Sequence, residues 1–409
     1  MNLIIYIVLF LNVVTSTLYQ PLKVSLILLA LVASIFQLKS NTLLRLTFAK
    51  TLILIIVLIL LPSFTAALIG FLNNNPGVLP MMPAFLVWPL LFSFLVFNRS
   101  HSLPFLDKLR TVLEYSAVII YIITIILFAS STLPALSDLK SALLGLGLRS
   151  TVFASESIEF SSPFVGSLIF LCPYFLACYV LQQTEQKKKS ENKYLLQFLF
   201  SCVALFFSGK RGFIVSFVLQ LPYLLYFISS CQGSASYYKK LRPILLVSMM
   251  LFALFAFLDA STVSTAIDYF VLGFDDSGSY SASFTRLKQF QELLNLSAEY
   301  PLFGAGLGAI IPSKIHAAQP WAVELQYLGL LFHTGLFGII CYLASFTLFF
   351  SKVFAVSRTN PLARTSLFPL SCGLLAIIIA NSTNPYMFKF DAMWFVFLPF
   401  AFLNYFCTI

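Results

Sequence analysis

The chain has 409 residues, of which 59% are hydrophobic and only 10% are charged. Soluble domains carry roughly 25% charged residues, so a mean hydropathy of +0.93 excludes an ordinary soluble protein and indicates an integral membrane protein. The net charge of +10 would suit nucleic acid, but the lysines and arginines sit in short loops between apolar spans, as bilayer topology requires. No nucleic-acid partner is therefore expected.

Apolar runs long enough to cross a bilayer, which takes about 20 residues, recur along the whole chain. We predict an all-α polytopic protein in which residues 1–409 form a single membrane domain. The predicted spans lie at about 3–19, 22–38, 51–71, 81–98, 111–130, 163–182, 194–208, 212–230, 244–260, 322–350, 366–382 and 390–408, twelve in all. The first run has no basic segment before it and no clear cleavage site after it, so it is predicted to be a retained helix.

Basic residues set the predicted orientation. If the N-terminus is cytoplasmic, most of the 25 lysines and arginines fall in cytoplasmic loops, and the lysine-rich run at 183–193 resists translocation. Twelve spans then place both termini in the cytoplasm. The longest polar segment, residues 261–321, becomes a large outer loop between predicted spans nine and ten, with short interfacial helices.

Two places on the predicted outer side carry cations against this charge bias. Lys210 and Arg211 lie in a tight turn between two spans, and Arg286 and Lys288 begin an amphipathic stretch of the outer loop. The guanidinium group can donate two parallel hydrogen bonds to a phosphate. We therefore predict that these four residues bind a substrate diphosphate. The alternatives are cationic side chains that snorkel to the interface or contact lipid headgroups.

The stretch that follows Arg286 has helical periodicity. Leu287, Phe290 and Leu294 recur at positions i, i+3 and i+7, which predicts a helix lying in the membrane interface. The helix is expected to end near Tyr300, because Pro301 follows. A bound anion near its first turn would offset the unfavourable placement of cations at the positive end of the helix dipole.

Three glycines follow the predicted interfacial helix at alternate positions, Gly304, Gly306 and Gly308. They resemble part of a dinucleotide-binding fingerprint, but no strand precedes them, and we reject that interpretation. Glycine lacks a Cβ atom and adopts conformations that other residues avoid. We predict a tight turn in which the backbone approaches a ligand or a neighbouring helix.

Glu324 is interpreted as the one acid inside a predicted span, at the outer mouth of span ten. A carboxylate there is costly unless it is paired or functional, so Glu324 is predicted to be a general base or the partner of an arginine. His333, deeper in the same span, is more typical of a hydrogen-bonded packing residue. Candidate substrate contacts around this mouth are Tyr300, Gly304, Gly306, His316, Gln326, Tyr327 and His333. The three histidines and seven cysteines show no ligand spacing, so neither a metal nor a cofactor is expected.

Together these motifs resemble the superfamily of O-antigen polymerases and O-antigen ligases, over about residues 200–345. The residues that carry the resemblance are, in chain order, Arg211, Arg286, Pro301, Gly304, Gly306, Glu324 and the run Gly335-Leu336-Phe337-Gly338. The resemblance implies a fold like that of the C-type glycosyltransferases, in a bacterial inner membrane with the active site facing the periplasm. Ligases of this superfamily usually carry a His-Asn pair where this chain has Glu324-Leu325, so the resemblance favours a polymerase.

The chemistry implied by the resemblance is a glycosyl transfer between lipid-linked substrates. Catalytic roles fall to Arg211, Arg286 and Glu324, and the donor and the acceptor are oligosaccharides linked to undecaprenyl diphosphate. The bilayer and a chain-length regulator protein are the further partners. Two alternatives remain: a ligase that transfers the glycan to lipid A core, and a flippase or transporter of lipid-linked glycan. A transporter is expected to carry paired broken spans in two matching halves, which this sequence does not show.

Overall fold

A computed structural model gives the architecture of the chain. It describes residues 2–15, 18–40, 49–97, 102–132, 138, 141, 165–182, 188–207, 211–231, 235–244, 282–312, 319–382, 387 and 389–408. Every long regular element within these ranges is a helix, which agrees with the all-α prediction. The predicted ninth span, 244–260, and much of the outer loop 261–321 lie outside the described residues.

The helices of the described residues have the following bounds. In chain order they are α1 (Asn2–Val14), α2 (Gln20–Ser40), α3 (Lys50–Leu72), α4 (Val78–Met82), α5 (Trp88–Phe97), α6 (Leu103–Thr132), α7 (Val165–Leu181), α8 (Lys188–Phe207), α9 (Arg211–Ser230), α10 (Ala282–Glu299), α11 (Gln326–Thr359), α12 (Pro361–Ala380) and α13 (Met393–Thr408). A π-helical turn, Pro83–Val87, joins α4 to α5, and a 3-10 turn, Phe390–Ala392, leads into α13. Residues 235–244 are also helical.

Five helical segments of the described chain are long and apolar enough to cross a membrane. They are α3, residues Leu103–Ile126 of α6, α11, α12 and Phe390–Thr408. Shorter apolar helices occur at Asn2–Val14, Gln20–Ala33, Val78–Phe94, Gly166–Leu181 and Val215–Ser230. The chain is therefore a helical membrane protein, whereas the number of twelve spans stays a prediction.

Helices α3 and α11 lie side by side and run in opposite directions. The Ser345 hydroxyl donates to the Ile55 carbonyl at 3.2 Å, and the hydroxyls of Ser63 and Tyr342 are 2.7 Å apart. The end of the bundle formed by the last turn of α3 and the first turn of α11 is called here the outer end, following the predicted orientation. The opposite end, where α3 begins, is the inner end. Which end faces the cytoplasm stays a prediction.

Aromatic side chains fill the centre of the bundle, where most residues of α7, α12 and α13 are buried. Phe170 of α7 packs edge-to-face against Trp394 of α13, with ring centroids 4.9 Å apart, and stacks on Phe395 at 5.3 Å. Such ring pairs add to the stabilisation from burial alone. The abundant phenylalanine of the sequence is thus used in helix packing as well as on the lipid-facing surface.

Glu114 corrects the view that Glu324 is the one acid within a predicted span. Glu114 belongs to the predicted span 111–130, lies in α6 and is only 6% exposed. Its carboxylate is paired with Lys193, accepts a hydrogen bond from the Tyr194 hydroxyl at 2.8 Å, and lies 3.9 Å from the Nε atom of Arg110. An ion pair of this kind satisfies a buried acid without requiring a catalytic role.

Candidate active site at the outer end

Helix α10 ends at Glu299 just before Pro301, as predicted, but it begins at Ala282, so Arg286 and Lys288 lie in its second turn and not in its first. Leu287, Phe290 and Leu294 are exposed, at 44%, 44% and 49%. An exposed apolar stripe on a helix beside membrane spans suits a helix lying in the interface. The opposite face packs inward against α11.

Gln289 joins α10 to the mouth of α11. Its side chain is 1% exposed, and its Oε1 atom accepts hydrogen bonds from the backbone N–H groups of Glu324 at 3.1 Å and Leu325 at 3.3 Å. Leu325 is the N-cap residue of α11 and provides no side-chain cap of its own. The amide of Gln289 therefore performs this function from another helix. As a result, the backbones of Arg286 and Lys288 are fixed close to Glu324.

Helix α11 begins at Gln326, four residues later than the predicted span. Glu324 consequently lies in the bend before the helix, outside the candidate span Gln326–Thr359, and is half-buried. This corrects the premise that Glu324 sits inside a span. Its position at the water-facing end of a long helix still allows a carboxylate to accept a proton from a bound substrate. Gln326, the first residue of α11, is buried.

A break interrupts α11 one third of the way along its length. Gly335 has a φ of 65° and a ψ of −171°, a left-handed conformation that only glycine adopts readily. A Cβ atom at this position would lie 2.3 Å from the carbonyl oxygen of Leu302. The segment 300–312 enters at the break and approaches the helix backbone directly.

The backbone groups released by this break are paired with the segment that enters it. Two carbonyl groups of α11 accept hydrogen bonds from the segment, and two N–H groups of α11 donate to it. The four bonds are Ala305 N–H to Phe332 at 2.8 Å, Gly306 N–H to His333 at 3.2 Å, Leu336 N–H to Pro301 at 2.9 Å, and Phe337 N–H to Leu302 at 3.0 Å. Since unpaired backbone groups are costly in a membrane, this pairing explains how a broken helix is tolerated.

The same glycine segment lies against the last turn of α3 on its other side. Gly306 has a φ of +87°, and a Cβ atom there would lie 2.4 Å from the backbone nitrogen of Gly70. The Asn75 side chain donates to the carbonyls of Ala305 and Leu307 at 3.0 and 3.1 Å. The prediction that these glycines let the backbone approach a neighbouring helix is confirmed.

His333 ties the glycine segment to the broken helix. Its ring is 1% exposed, and Nδ1 lies 3.0 Å from the Gly306 carbonyl. This arrangement agrees with a packing role. Gly304 and Gly306 are buried as well, whereas Tyr300 and Lys288 are exposed. Contact of any of these residues with a substrate stays a prediction.

An apolar cavity of about 250 Å³ extends from the mouth into the membrane-spanning part of the bundle. Tyr327 lines its outer part, and the Tyr327 hydroxyl donates to the Ile378 carbonyl near the end of α12 at 2.5 Å. Leu330 and Phe346 of α11 and Val396 of α13 continue the lining. The cavity therefore begins beside the turn that carries Glu324.

Arg211 lies at the same end of the bundle as Glu324. The Tyr223 hydroxyl is 3.2 Å from the Ser371 hydroxyl, and the Phe227 ring stacks on Phe368 with centroids 3.7 Å apart. Residue numbers thus rise along α9 while they fall along α12, so the two helices are antiparallel. The start of α9 is therefore near the end of α12, which contacts Tyr327.

The remaining parts of the predicted diphosphate site fall outside the described residues. Lys210 and His316 belong to segments that the structure does not describe, and the side chains of Arg211 and Arg286 are likewise outside it. Their convergence on one phosphate stays a prediction. In the described part of the chain, no group of three or more His, Cys, Asp and Glu side chains is arranged to hold a metal ion.

Neither a known family model nor a curated protein matches this chain. The resemblance to O-antigen polymerases and ligases therefore stays a prediction.

Sequence reasoning missed two residues that build this end, Gln289 and Asn75. Gln289 is a polar residue on the inward face of α10, one turn before Leu293, and a polar residue at this apolar spacing could have indicated a buried hydrogen bond. Asn75 belongs to an asparagine triplet directly after an apolar span, where amide side chains commonly hold turns. Neither signal identifies a partner more than 30 positions away.

Proposed function

We propose that this protein is a membrane glycosyltransferase that polymerises lipid-linked oligosaccharide repeat units at its outer end. The observation that supports this most is the contact of Gln289 with the backbone of Glu324. That contact holds a helix with two cations in its second turn, Arg286 and Lys288, beside a carboxylate at the mouth of a membrane span. A transfer reaction with a diphosphate leaving group uses these two kinds of group.

The proposed reaction is one displacement. A hydroxyl oxygen of the acceptor sugar forms a bond to the anomeric carbon of the donor glycan, and the bond from that carbon to the diphosphate oxygen breaks. The hydroxyl proton passes to Glu324 as the general base. Undecaprenyl diphosphate leaves with the bonding electron pair, and the glycan on the acceptor lipid becomes longer by the transferred unit.

The cations act on the leaving group. Negative charge grows on the diphosphate as its bond to carbon breaks, and fixed cationic donors stabilise that charge without reorganising. Arg286, Lys288 and Arg211 all belong to the outer end, and Lys210 precedes Arg211 directly. An arginine fork matches a phosphate in two hydrogen bonds, which a lysine cannot do.

The apolar cavity beside Tyr327 suits the lipid portion of a substrate. It has an almost wholly apolar lining and extends from the mouth toward the middle of α11. Leu343, which lines it, is 67% exposed, so the cavity is open toward the surrounding lipid. A substrate anchored in the bilayer can then present its diphosphate at the mouth while its hydrocarbon chain stays in an apolar environment.

A transporter of lipid-linked glycan is the second candidate, because discontinuous helices commonly form transport sites. In such sites the released ends of the half-helices bind the substrate. Here four of the groups of α11 released at Gly335 pair with the segment Pro301–Gly306, so these groups are already engaged within the chain. The same geometry therefore favours the transferase.

An assay with purified protein in nanodiscs tests the proposal. Lipid-linked repeat units serve as both donor and acceptor, and products are separated by chain length. We expect a ladder of glycan lengths from the wild type, and a loss of at least about 100-fold in rate for Glu324→Gln, since general bases contribute that much or more. Glu299→Gln, which changes an exposed carboxylate on α10, is the matched control.

The products also separate the alternatives. Transfer to added lipid A core without a ladder would identify a ligase. A wild type that forms no glycosidic bond, yet moves labelled lipid-linked glycan across a liposome membrane, would identify a transporter.

A further inference from the structure

A second pocket lies at the inner end of the bundle, about 390 Å³ in volume and far from the candidate active site. It is lined by the start of α3 and by the last turns of α11 and α13. Ala49 is held there by a hydrogen bond of 3.0 Å from its N–H group to the Asn404 side chain. Lys50 and Lys352, from two different helices, both line it. We call this site the inner basic pocket.

The described residues that line this pocket carry two positive charges and no negative one. The ion pairs found between described residues, those of Lys23, Arg110 and Lys193, do not include Lys50 or Lys352. Both lysines are exposed to water, which weakens but does not remove the repulsion between two ammonium groups at one pocket. A bound anion removes this cost.

The surroundings indicate what kind of anion it is. α3 and α11 are both candidate membrane spans, and the pocket is formed where α3 begins and α11 ends. It is therefore at the depth of the lipid headgroups. Its lining is divided between polar and apolar groups, including Thr51 and Val356. A phospholipid presents this combination, with a phosphate next to glycerol and acyl chains.

We propose that the inner basic pocket binds the phosphate of an anionic membrane phospholipid. Basic pockets between membrane helices bind such headgroups in general. The proposal does not depend on the catalytic function, because the pocket and the mouth at Glu324 lie at opposite ends of α11. It gives the protein a lipid-dependent contact that links α3, α11 and α13.

Native mass spectrometry of the delipidated protein tests this site. Phosphatidylglycerol is titrated against phosphatidylcholine, and inorganic phosphate is added in a separate arm. We expect the wild type to retain phosphatidylglycerol in preference to phosphatidylcholine. A Lys50→Gln/Lys352→Gln variant should lose affinity for phosphatidylglycerol about 25-fold, since each surface lysine contributes about fivefold. Its affinity for phosphatidylcholine should not change.

Three further variants make the result specific. Lys50→Arg/Lys352→Arg keeps both charges and should keep the preference. Lys108→Gln/Lys239→Gln removes two exposed lysines that lie outside the pocket and should also keep it. If the double glutamine variant does not fold, the single variants Lys50→Gln and Lys352→Gln should each lose about fivefold.

Several outcomes would overturn the proposal. Equal retention of both lipids by the wild type would show that the pocket has no preference for an anionic lipid. If the Lys108→Gln/Lys239→Gln variant loses as much affinity for phosphatidylglycerol as the Lys50→Gln/Lys352→Gln variant, the effect is one of total charge and not of the pocket. Displacement of phosphatidylglycerol by millimolar inorganic phosphate would assign the pocket to free phosphate. Insensitivity of the wild type to every anion would show that the two lysines hold no anion at all.

Discussion

The side-chain oxygen of Gln289 accepts a hydrogen bond of 3.1 Å from the backbone N–H of Glu324, across 35 positions of sequence. A second bond, from Leu325 at 3.3 Å, makes the same oxygen the cap of α11. The position of the candidate base is thus set by a residue of the helix that carries the candidate diphosphate-binding cations. The active-site proposal therefore depends on a neutral amide as much as on charged groups.

Replacing Gln289 tests this dependence. Gln289→Met keeps the side-chain volume but leaves two N–H groups without an acceptor, which we expect to lower the free energy of unfolding by about 2 kcal/mol. Chain growth should fall further than the folded fraction does, because Glu324 loses its fixed position. Gln289→Glu keeps an acceptor and should retain more activity. Thermal unfolding and the chain-length assay measure the two effects, with Gln291→Met as the exposed control on the same helix.

The arginines provide the next prediction. Arg211→Ala and Arg286→Ala should each reduce chain growth by at least about 100-fold while membrane insertion persists, as expected when a donor to developing negative charge is removed. Arg→Lys at either position should restore only part of the activity, because the planar fork is lost. Arg242→Ala, which removes an exposed cation from the other predicted side, is the control. Chains of normal length from both alanine variants would contradict the diphosphate-binding role.

Glu324→Gln separates a catalytic from a structural carboxylate. The amide keeps the shape of the side chain but cannot accept the proton. We expect kcat to fall by about 100-fold or more, with little change in KM for the lipid-linked donor and in Tm. A fall in Tm together with unchanged turnover would show that Glu324 has a structural role only.

The glycine segment should be intolerant of a single methyl group. In Gly306→Ala, the new Cβ atom would lie 2.4 Å from the Gly70 nitrogen, in a backbone conformation with positive φ. The conformation alone costs about 1–2 kcal/mol, so Tm should fall clearly. At Gly166 nothing lies within 4 Å of the position that a methyl group would occupy, and Gly166→Ala should leave Tm nearly unchanged. Equal behaviour of the two variants would contradict the close approach.

The buried ion pair between Lys23 and Asp391 gives a prediction on stability. Their side chains are 0% and 6% exposed, and the Nζ and Oδ1 atoms are 2.7 Å apart. Lys23→Met leaves a buried carboxylate without its cation and should cost about 3–5 kcal/mol. The double variant Lys23→Met/Asp391→Leu removes both charges and should unfold at a higher temperature than Lys23→Met alone. The single variant Asp391→Leu completes the comparison. If the fall in Tm of the double variant equals the sum of the falls in the two single variants, the two groups do not interact.

Composition and hydropathy predicted the all-helical membrane class, because transfer of apolar residues into a bilayer is a local property of each run of sequence. The end of α10 followed from Pro301. The close approach of the backbone at Gly306 to α3 could be predicted because glycine has no side chain. These are features that neighbouring residues decide.

Contacts between distant segments could not be predicted in this way. Glu114 lies in an apolar run, and nothing near it in the sequence shows that Lys193 of another helix neutralises it. The start of α11 was misplaced by four residues, because hydropathy does not detect where Gln289 caps the helix. Which side chains of separate helices come into contact depends on how the helices pack, and a single sequence does not contain that information in any local pattern.

The four hydrogen bonds at Gly335 join main-chain atoms only. Replacement of Phe332, Leu336 or Phe337 by another residue leaves those atoms in place, so the geometry is largely independent of side-chain identity there. Homologues could therefore differ widely in residues across this region and preserve the same three-way junction of chain segments. In a search for such homologues, the spacing of the glycines should therefore count for more than the identity of the residues around them.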